Sequence, residues 1–259
     1  MGTALVTGAS AGLGLEFAWQ LATARHDVVL VARDGDRLTR LAGQLEAAAG
    51  VRAEVLVADL SDRDDLERVA ERLRRPTRPV GLLVNNAGFG LAQRFVGGDL
   101  AREETGLDVM VRAVLVLSHA AAGAMVERGR GAILNVASIA ALMASGTYSA
   151  NKAWVRAFTE GLTVELKGTG VTATALCPGF VRTEFHQRGA IDMSALPEIA
   201  WLNAEDVVAQ ALADVRHGVV ISTPSLRYKV VAGATRLAPR WAIRAVGRYR
   251  RELIDGDKA

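Results

Sequence analysis

The chain has 259 residues, half of them hydrophobic, a formal net charge of only +3 and a single cysteine, Cys177. This is enough apolar material for one large core, so a disordered chain is excluded and one α/β domain is expected. The near-even charge balance carries no nucleic-acid footprint, and a lone cysteine makes no internal disulfide, which fits a reducing cytoplasm.

In chain order, an apolar strand over Thr3–Thr7 follows Met1 directly, without a charged leader or cleavage site, so a cytoplasmic location is expected. A glycine-rich turn then opens a helix over Gly12–Arg25. Strand Asp27–Ala32 precedes helix Arg37–Ala49, strand Ala53–Ala58 precedes helix Asp62–Arg74, and strand Val80–Val84 precedes helix Ala101–Arg128. Strand Ala132–Ala137 precedes helix Thr147–Lys167, strand Val171–Leu176 precedes helix Ala204–His217, and strand Val219–Ser222 is the last. The strands read as continuous apolar runs and not as in/out alternation, which predicts burial on both faces of a parallel sheet. Strict β–α alternation with right-handed crossovers predicts a single-domain α/β fold of the Rossmann type, a doubly wound seven-stranded parallel sheet flanked by helices. The longest apolar stretch, Ala113–Met125, is broken by Ser118 and His119 and is shorter than the ~20 residues a bilayer requires.

The turn after the first strand reads Thr7-Gly8-Ala9-Ser10-Ala11-Gly12-Leu13-Gly14. Glycines let the backbone turn tightly and approach a pyrophosphate, while the following helix offers free N–H groups to the anion. The spacing is G-x-x-x-G-x-G, and a ligand-free turn is the bland alternative. Its place between an apolar strand and a helix, at the head of an alternating chain, argues for a dinucleotide. The end of the second strand then selects the cofactor: a carboxylate there grips a ribose hydroxyl, an arginine a 2′-phosphate. Here the residues are Ala32 and Arg33, with Asp34 next.

Tyr148 and Lys152 are four apart in a helical pattern and share a face. A phenol of pKa ~10 is a poor acid at neutral pH, and a neighbouring ammonium lowers that value by stabilising the phenolate. Such a phenol can protonate a carbonyl oxygen, or deprotonate an alcohol in reverse. Ser138, closing the fifth strand, can orient the substrate oxygen.

Thr7–Gly14, Asn85-Asn86-Ala87-Gly88, Ser138, Tyr148-x-x-x-Lys152 and Pro178-Gly179 together resemble the short-chain dehydrogenase/reductase family, over roughly residues 3–223. The resemblance implies an NAD(P)-dependent oxidoreductase acting on a carbonyl or the matching alcohol. It implies Ser138, Tyr148 and Lys152 as catalytic residues, with Lys152 also on the nicotinamide ribose. Gly8, Ser10, Ala11, Gly12, Leu13 and Gly14 would cradle the pyrophosphate, and Asp59 and Leu60 would flank the adenine. Asn86, Ala87 and Gly88 would line the adenosine ribose side. Pro178, Gly179, Val181 and Thr183 would meet the nicotinamide end. In the family, the NAD-selecting aspartate falls at Ala32 and an arginine at position 33 marks NADP, so NADP(H) is expected, with NAD(H) at lower affinity. There are two departures. The segment from Ser138 to Tyr148 is three residues shorter than in many relatives. The family's catalytic asparagine, which holds a proton-relay water, is replaced by Met110, whose thioether is at best a weak acceptor. A slowed or rewired enzyme is one reading, and an NADP(H)-binding sensor or scaffold is the other.

Residues 1–223 thus form the nucleotide-binding and catalytic unit, with a substrate lid over 180–203. The lid mixes apolar Phe180, Phe185, Ile191, Met193, Leu196, Ile199 and Trp201 with Glu184, His186, Gln187 and Arg188. With Phe89 and Met143 at the same sheet edge, it predicts a hydrophobic ketone, aldehyde or alcohol as substrate. Residues 224–259 form a basic, amphipathic C-terminal extension with eight basic residues between Arg227 and Arg251. A helix packed near the active site or a subunit interface, with a solvated basic face, is the favoured reading; peripheral membrane contact is the minority one. Ala150, Ala153, Ala157 and Gly161 make a small-residue stripe on helix Thr147–Lys167. Relatives pair this helix across subunits, so a homodimer or homotetramer is expected. Four histidines and one cysteine without ligand-like spacing predict no metal site.

Overall fold

The computed structural model describes residues 2–91, 93–184 and 197–245. The strands are Thr3–Thr7 (β1), Asp27–Ala32 (β2), Ala53–Val57 (β3), Val80–Asn85 (β4), Gly131–Val136 (β5), Val171–Leu176 (β6), Phe180–Val181 (β7), Trp201–Leu202 (β8) and Ile221–Ser222 (β9). The helices are Gly12–Thr23 (α1), Gly35–Ala49 (α2), Arg63–Arg74 (α3), Leu100–Leu107 (α4), Ala113–Glu127 (α5), Gly146–Glu165 (α6), Ala204–Arg216 (α7) and Leu226–Leu237 (α8). Seven strands form one sheet in the order β3-β2-β1-β4-β5-β6-β9, every neighbouring pair parallel, and β7 and β8 pair separately.

The period-2 pleat sends successive apolar side chains to opposite layers. Ala4, Val6, Val28 and Leu30 face α1, α2 and α7, where Phe17, Leu21, Leu38, Leu45 and Val208 are buried. Leu5, Val29 and Val31 face α3 and α5, where Leu66, Val69, Leu117 and Met125 are buried. This is why the strands carry continuous apolar runs: both faces are covered. β3 departs from the expectation. It is an edge strand, its residues are only partly buried, and Val57 is exposed, because one of its sides has no neighbouring strand.

The helix expected over Ala101–Arg128 runs from Leu100 to Glu127 but is interrupted by a π turn at Asp108–Arg112, where the Ala113 N–H bonds the Asp108 carbonyl five residues back. Such single turns insert one extra residue and concentrate at functional sites. At 28 residues the combined helix is long and apolar enough to cross a membrane, yet half of its apolar window is buried within the fold. Ser118, the polar break in its sequence, explains itself there. Asn85 Nδ2 donates to Ser118 Oγ at 3.1 Å and to Asn135 Oδ1 at 2.8 Å, and Asn135 Nδ2 donates to Thr159 Oγ1 at 3.0 Å. This buried chain of amides and hydroxyls joins β4, β5, α5 and α6 with its members mutually satisfied.

Because all seven strands are parallel, the segments leaving β1, β4, β5 and β6 converge on one sheet edge, where open α/β sheets bind ligands.

Candidate active site

At that edge the glycine turn is tightly fastened. Gly8 and Gly12 hold φ of 66° and 56°, and a Cβ on Gly14 would lie 2.2 Å from the Gly8 carbonyl oxygen, so the helix packs against the turn only without a side chain. Asn86 Nδ2 donates to the Thr7 carbonyl at 2.9 Å, and the N–H groups of Asn86 and Ala87 both donate to Thr7 Oγ1 at 3.0 Å. The first task of Asn86 and Ala87 is therefore to clamp the turn. α1 starts behind Ala11 with no side-chain cap and no acid in its first turn, whereas Asp34 and Asp62 cap α2 and α3. Its leading N–H groups are left for an anion. Ser10, Ala11, Gly12 and Leu13 are half-buried on this rim, and the Thr183 side chain would lie 3.3 Å from a Cβ on Gly12. The residues expected at the pyrophosphate and at the nicotinamide end are thus brought together.

Arg33 stands at the end of β2, its side chain 75% exposed, with one long ion pair of 3.7 Å to Asp59. Asp34 is occupied otherwise: its carboxylate accepts from the Arg37 N–H at 2.9 Å as the cap of α2. Asp59 Oδ1 accepts from the Ser61 N–H and hydroxyl. Burial pushes the Asp59 carboxyl up, but the Ser61 hydrogen bonds and Arg33 outweigh it and hold it below the ordinary value. Leu60 is buried beside it. A cationic guanidinium open to solvent, with the nearest acid of α2 engaged in capping, fits a 2′-phosphate better than a ribose hydroxyl.

Some distance along the same edge, Ser138 leaves β5 in an extended conformation and its Oγ accepts from the Ala140 N–H at 3.1 Å, leaving its own proton to donate. α6 carries Tyr148 and Lys152 on one face, with Lys152 Nζ 5.8 Å from the Tyr148 ring centroid. Lys152 is 4% exposed and donates to the Val136 carbonyl at 2.8 Å. Burial lowers its pKa from 10.5 to about 8. Met110, fully buried in the π turn, and Lys152 both approach Gly88: a Cβ there would be 3.4 Å from Met110 Cγ and 3.5 Å from Lys152 Nζ. Met110 therefore occupies the place beside the lysine that the sequence assigned to it.

Two groups escape a reading by motif. Glu103 on α4 is buried, accepts from Gln93 Nε2 at 2.8 Å and accepts a short hydrogen bond from the Thr147 hydroxyl, one residue before Tyr148. Its place in the first turns of a helix capped by Asp99 reads in sequence as a solvated acid. Tyr228, on α8, lays its ring over Gly179, where a Cβ would sit 2.1 Å from Cζ. Its hydroxyl accepts from the Phe180 N–H at 3.3 Å and donates to the Ala200 carbonyl at 2.7 Å. Gly179 is thus a seat for this ring, next to buried Val181. Cys177, ahead of Pro178, is buried, and burial pushes its thiol up to about 11, so it is unreactive.

Of the segment expected to form a lid, Phe180 and Trp201 are half-buried, their ring centroids 6.2 Å apart, whereas Ile199 is 71% exposed. Phe89 and Met143 are half-buried. Phe185, Ile191, Met193 and Leu196, with His186, Gln187 and Arg188, lie outside the described residues.

A family model described as short chain dehydrogenase matches residues 2–192. Sulfoacetaldehyde reductase 2 of Chromohalobacter salexigens is 38% identical over 186 residues, 70% of this chain and 73% of that protein. Among solved structures, a short-chain dehydrogenase from Sphingobium yanoikuyae in complex with NADPH is 35% identical, with a TM-score of 0.84 over 91% of this chain and 94% of that one. The bulky-bulky ketone specific alcohol dehydrogenase of Comamonas testosteroni is 30% identical, with a TM-score of 0.79 over 98% and 94%. The glycine turn, the buried lysine beside its tyrosine and these matches converge: the chain belongs to the short-chain dehydrogenase family of NAD(P)-dependent oxidoreductases.

Proposed function

We propose that the chain uses NADP(H) to interconvert a hydrophobic ketone or aldehyde and its alcohol at a Ser138–Tyr148–Lys152 site. The observation that carries the reading is the buried Lys152 ammonium held 5.8 Å from the Tyr148 ring, beside Gly88. The nicotinamide, when bound, supplies or takes the hydride. The protein's own groups handle the oxygen and its proton. Ser138 donates a hydrogen bond to the substrate oxygen, Tyr148 delivers the phenolic proton to it, and Lys152 stabilises the phenolate that remains. In the alcohol-oxidising direction each proton movement reverses.

Arg33 supports NADP(H) over NAD(H), and the Sphingobium neighbour's NADPH points the same way. Half-buried Phe89, Met143, Phe180 and Trp201 at the site's edge, and the bulky ketones of the Comamonas neighbour, support an apolar substrate. Work in the cytoplasm as a homodimer or homotetramer completes the proposal. On α6, Ala150, Ala157 and Gly161 are exposed, so they do not pack on their own sheet, and Leu115 and Val126 are exposed on α5. A monomer in light scattering at micromolar concentration refutes the assembly, and Ala157→Glu should disrupt it.

The decisive assay is NADPH oxidation with a graded series of aliphatic and polycyclic ketones. Tyr148→Phe should lower turnover by ~10²–10⁴-fold with NADPH affinity kept. Retained turnover would remove Tyr148 from its role. A kcat/KM that falls as the ketones become more apolar would overturn the substrate class. The second reading, an NADP(H)-binding sensor or scaffold, is favoured by Met110 alone; tight NADPH binding with no turnover of any carbonyl would establish it.

A further inference from the structure

The described basic residues of the C-terminal extension, Arg227, Lys229, Arg236, Arg240 and Arg244, are exposed, and so is an apolar stripe of the same helix. α8 contacts the body through one side, where Tyr228 is buried and Ala232 and Thr235 are half-buried. At 3.6 residues per turn, the stripe opposite that side is Leu226, Val230 and Leu237, and these are 77%, 64% and 88% exposed. A surface helix normally turns its apolar stripe inward; this one turns it outward. Lys229 and Arg236 flank the stripe on one side. Arg227, which also grips the Ile199 and Trp201 carbonyls, flanks it on the other. After the break at Ala238–Pro239, the helical segment 240–245 adds Trp241, 67% exposed, between exposed Arg240 and Arg244. Residues 221–251 hold eight of the 31 Lys and Arg and none of the 28 Asp and Glu, so the rest of the chain is net negative.

We propose that α8 and segment 240–245 dock the protein peripherally on an anionic lipid surface. An outward apolar stripe flanked by cations, followed by an exposed tryptophan between two arginines, matches the acyl boundary, the anionic headgroups and the interfacial zone of a bilayer in turn. A second copy fits less well, because two-fold pairing of this face brings cations together with no acidic residue of 221–251 to offset them. Nucleic acid fits less well, because its apolar base faces are taken by aromatic stacking platforms, and the stripe of Leu226, Val230 and Leu237 is aliphatic. The inner side of α8 seats Tyr228 on Gly179, so the docked face lies on the opposite side of the helix that covers the residues expected at the nicotinamide end.

The test is flotation of the full chain with phosphatidylcholine vesicles, with and without phosphatidylglycerol, at low and high salt. The protein should float with the anionic vesicles only, and less at high salt. Leu226→Asp with Val230→Asp, and separately Lys229→Glu with Arg236→Glu, should each lower the partition coefficient by at least about tenfold, with NADPH binding unchanged. Equal partition onto neutral vesicles, or variants that float like the parent, would overturn the proposal. So would a parent that binds RNA but not vesicles, or variants whose only effect is a smaller assembly in light scattering. Flotation reads no turnover, so this test stands or fails independently of the catalytic reading.

Discussion

Lys152→Met should make the protein more stable near neutral pH while abolishing most of its turnover. The ammonium is buried, and its pKa falls from 10.5 to about 8. The unfolded chain therefore binds this proton more tightly than the folded one. Its cost is complete below about pH 8 and disappears as the pH rises to about 10.5, so stability climbs through that window. At ~1.4 kcal/mol for each pH unit between the two values, the ammonium costs about 3 kcal/mol at pH 7. Methionine has a similar reach and no charge. It leaves the Val136 carbonyl without its 2.8 Å donor, a pH-independent loss of about 1–2 kcal/mol. The net gain at pH 7 is then about 1–2 kcal/mol, or roughly 3–6 °C in Tm for a domain of this size. Urea or thermal unfolding of parent and variant from pH 7 to 10.5, without added cofactor, reads the difference. The variant's advantage should shrink steadily above pH 8 and reverse. A pH-independent difference would refute the account of Lys152 as a charge held in the site against its own solvation.

Arg33→Ala should erase most of the preference for NADPH over NADH. We expect that preference to be at least about tenfold, or ~1.4 kcal/mol, the guanidinium being too exposed for much more; equal affinities in the unmutated protein, by fluorescence titration, would sink the assignment. Met110→Asn should raise kcat in carbonyl reduction at unchanged NADPH affinity, since it restores a relay group beside Lys152; no gain would show that the proton takes another path. Glu103→Ala removes the acceptor for Thr147 and Gln93 and should lower kcat about tenfold through the position of Tyr148, with NADPH affinity kept. Glu103→Gln should restore most of it, and a loss confined to melting temperature would mean that Glu103 only supports the fold.

The β–α alternation, the seven-stranded parallel sheet and the position of the site at its edge were legible because they rest on local signals. Apolar runs such as Val28–Val31, the glycines at 8, 12 and 14, and the four-residue step from Tyr148 to Lys152 each state their geometry within a few neighbours. What escaped was relational. Val57 belongs to a run like those of the inner strands, and only the strand order reveals β3 as an edge. Met110 was legible as the residue at the family's asparagine position, but not the π turn that carries it nor its contact with Gly88. Glu103 became a buried anchor because Thr147, 44 residues away, came to it.

The C-terminal helix draws the line most sharply. Its amphipathic pattern and its charge are written in residues 226–244, because helical periodicity needs no partner to define a stripe. Which side of the helix the body covers is decided elsewhere, by the bare Gly179 that admits the Tyr228 ring and the Phe180 and Ala200 backbone groups that bind its hydroxyl. Once that aromatic is seated, the opposite stripe of Leu226, Val230 and Leu237 must face outward. Sequence determined that the stripe exists; tertiary packing, by choosing the tyrosine to bury, determined what it faces.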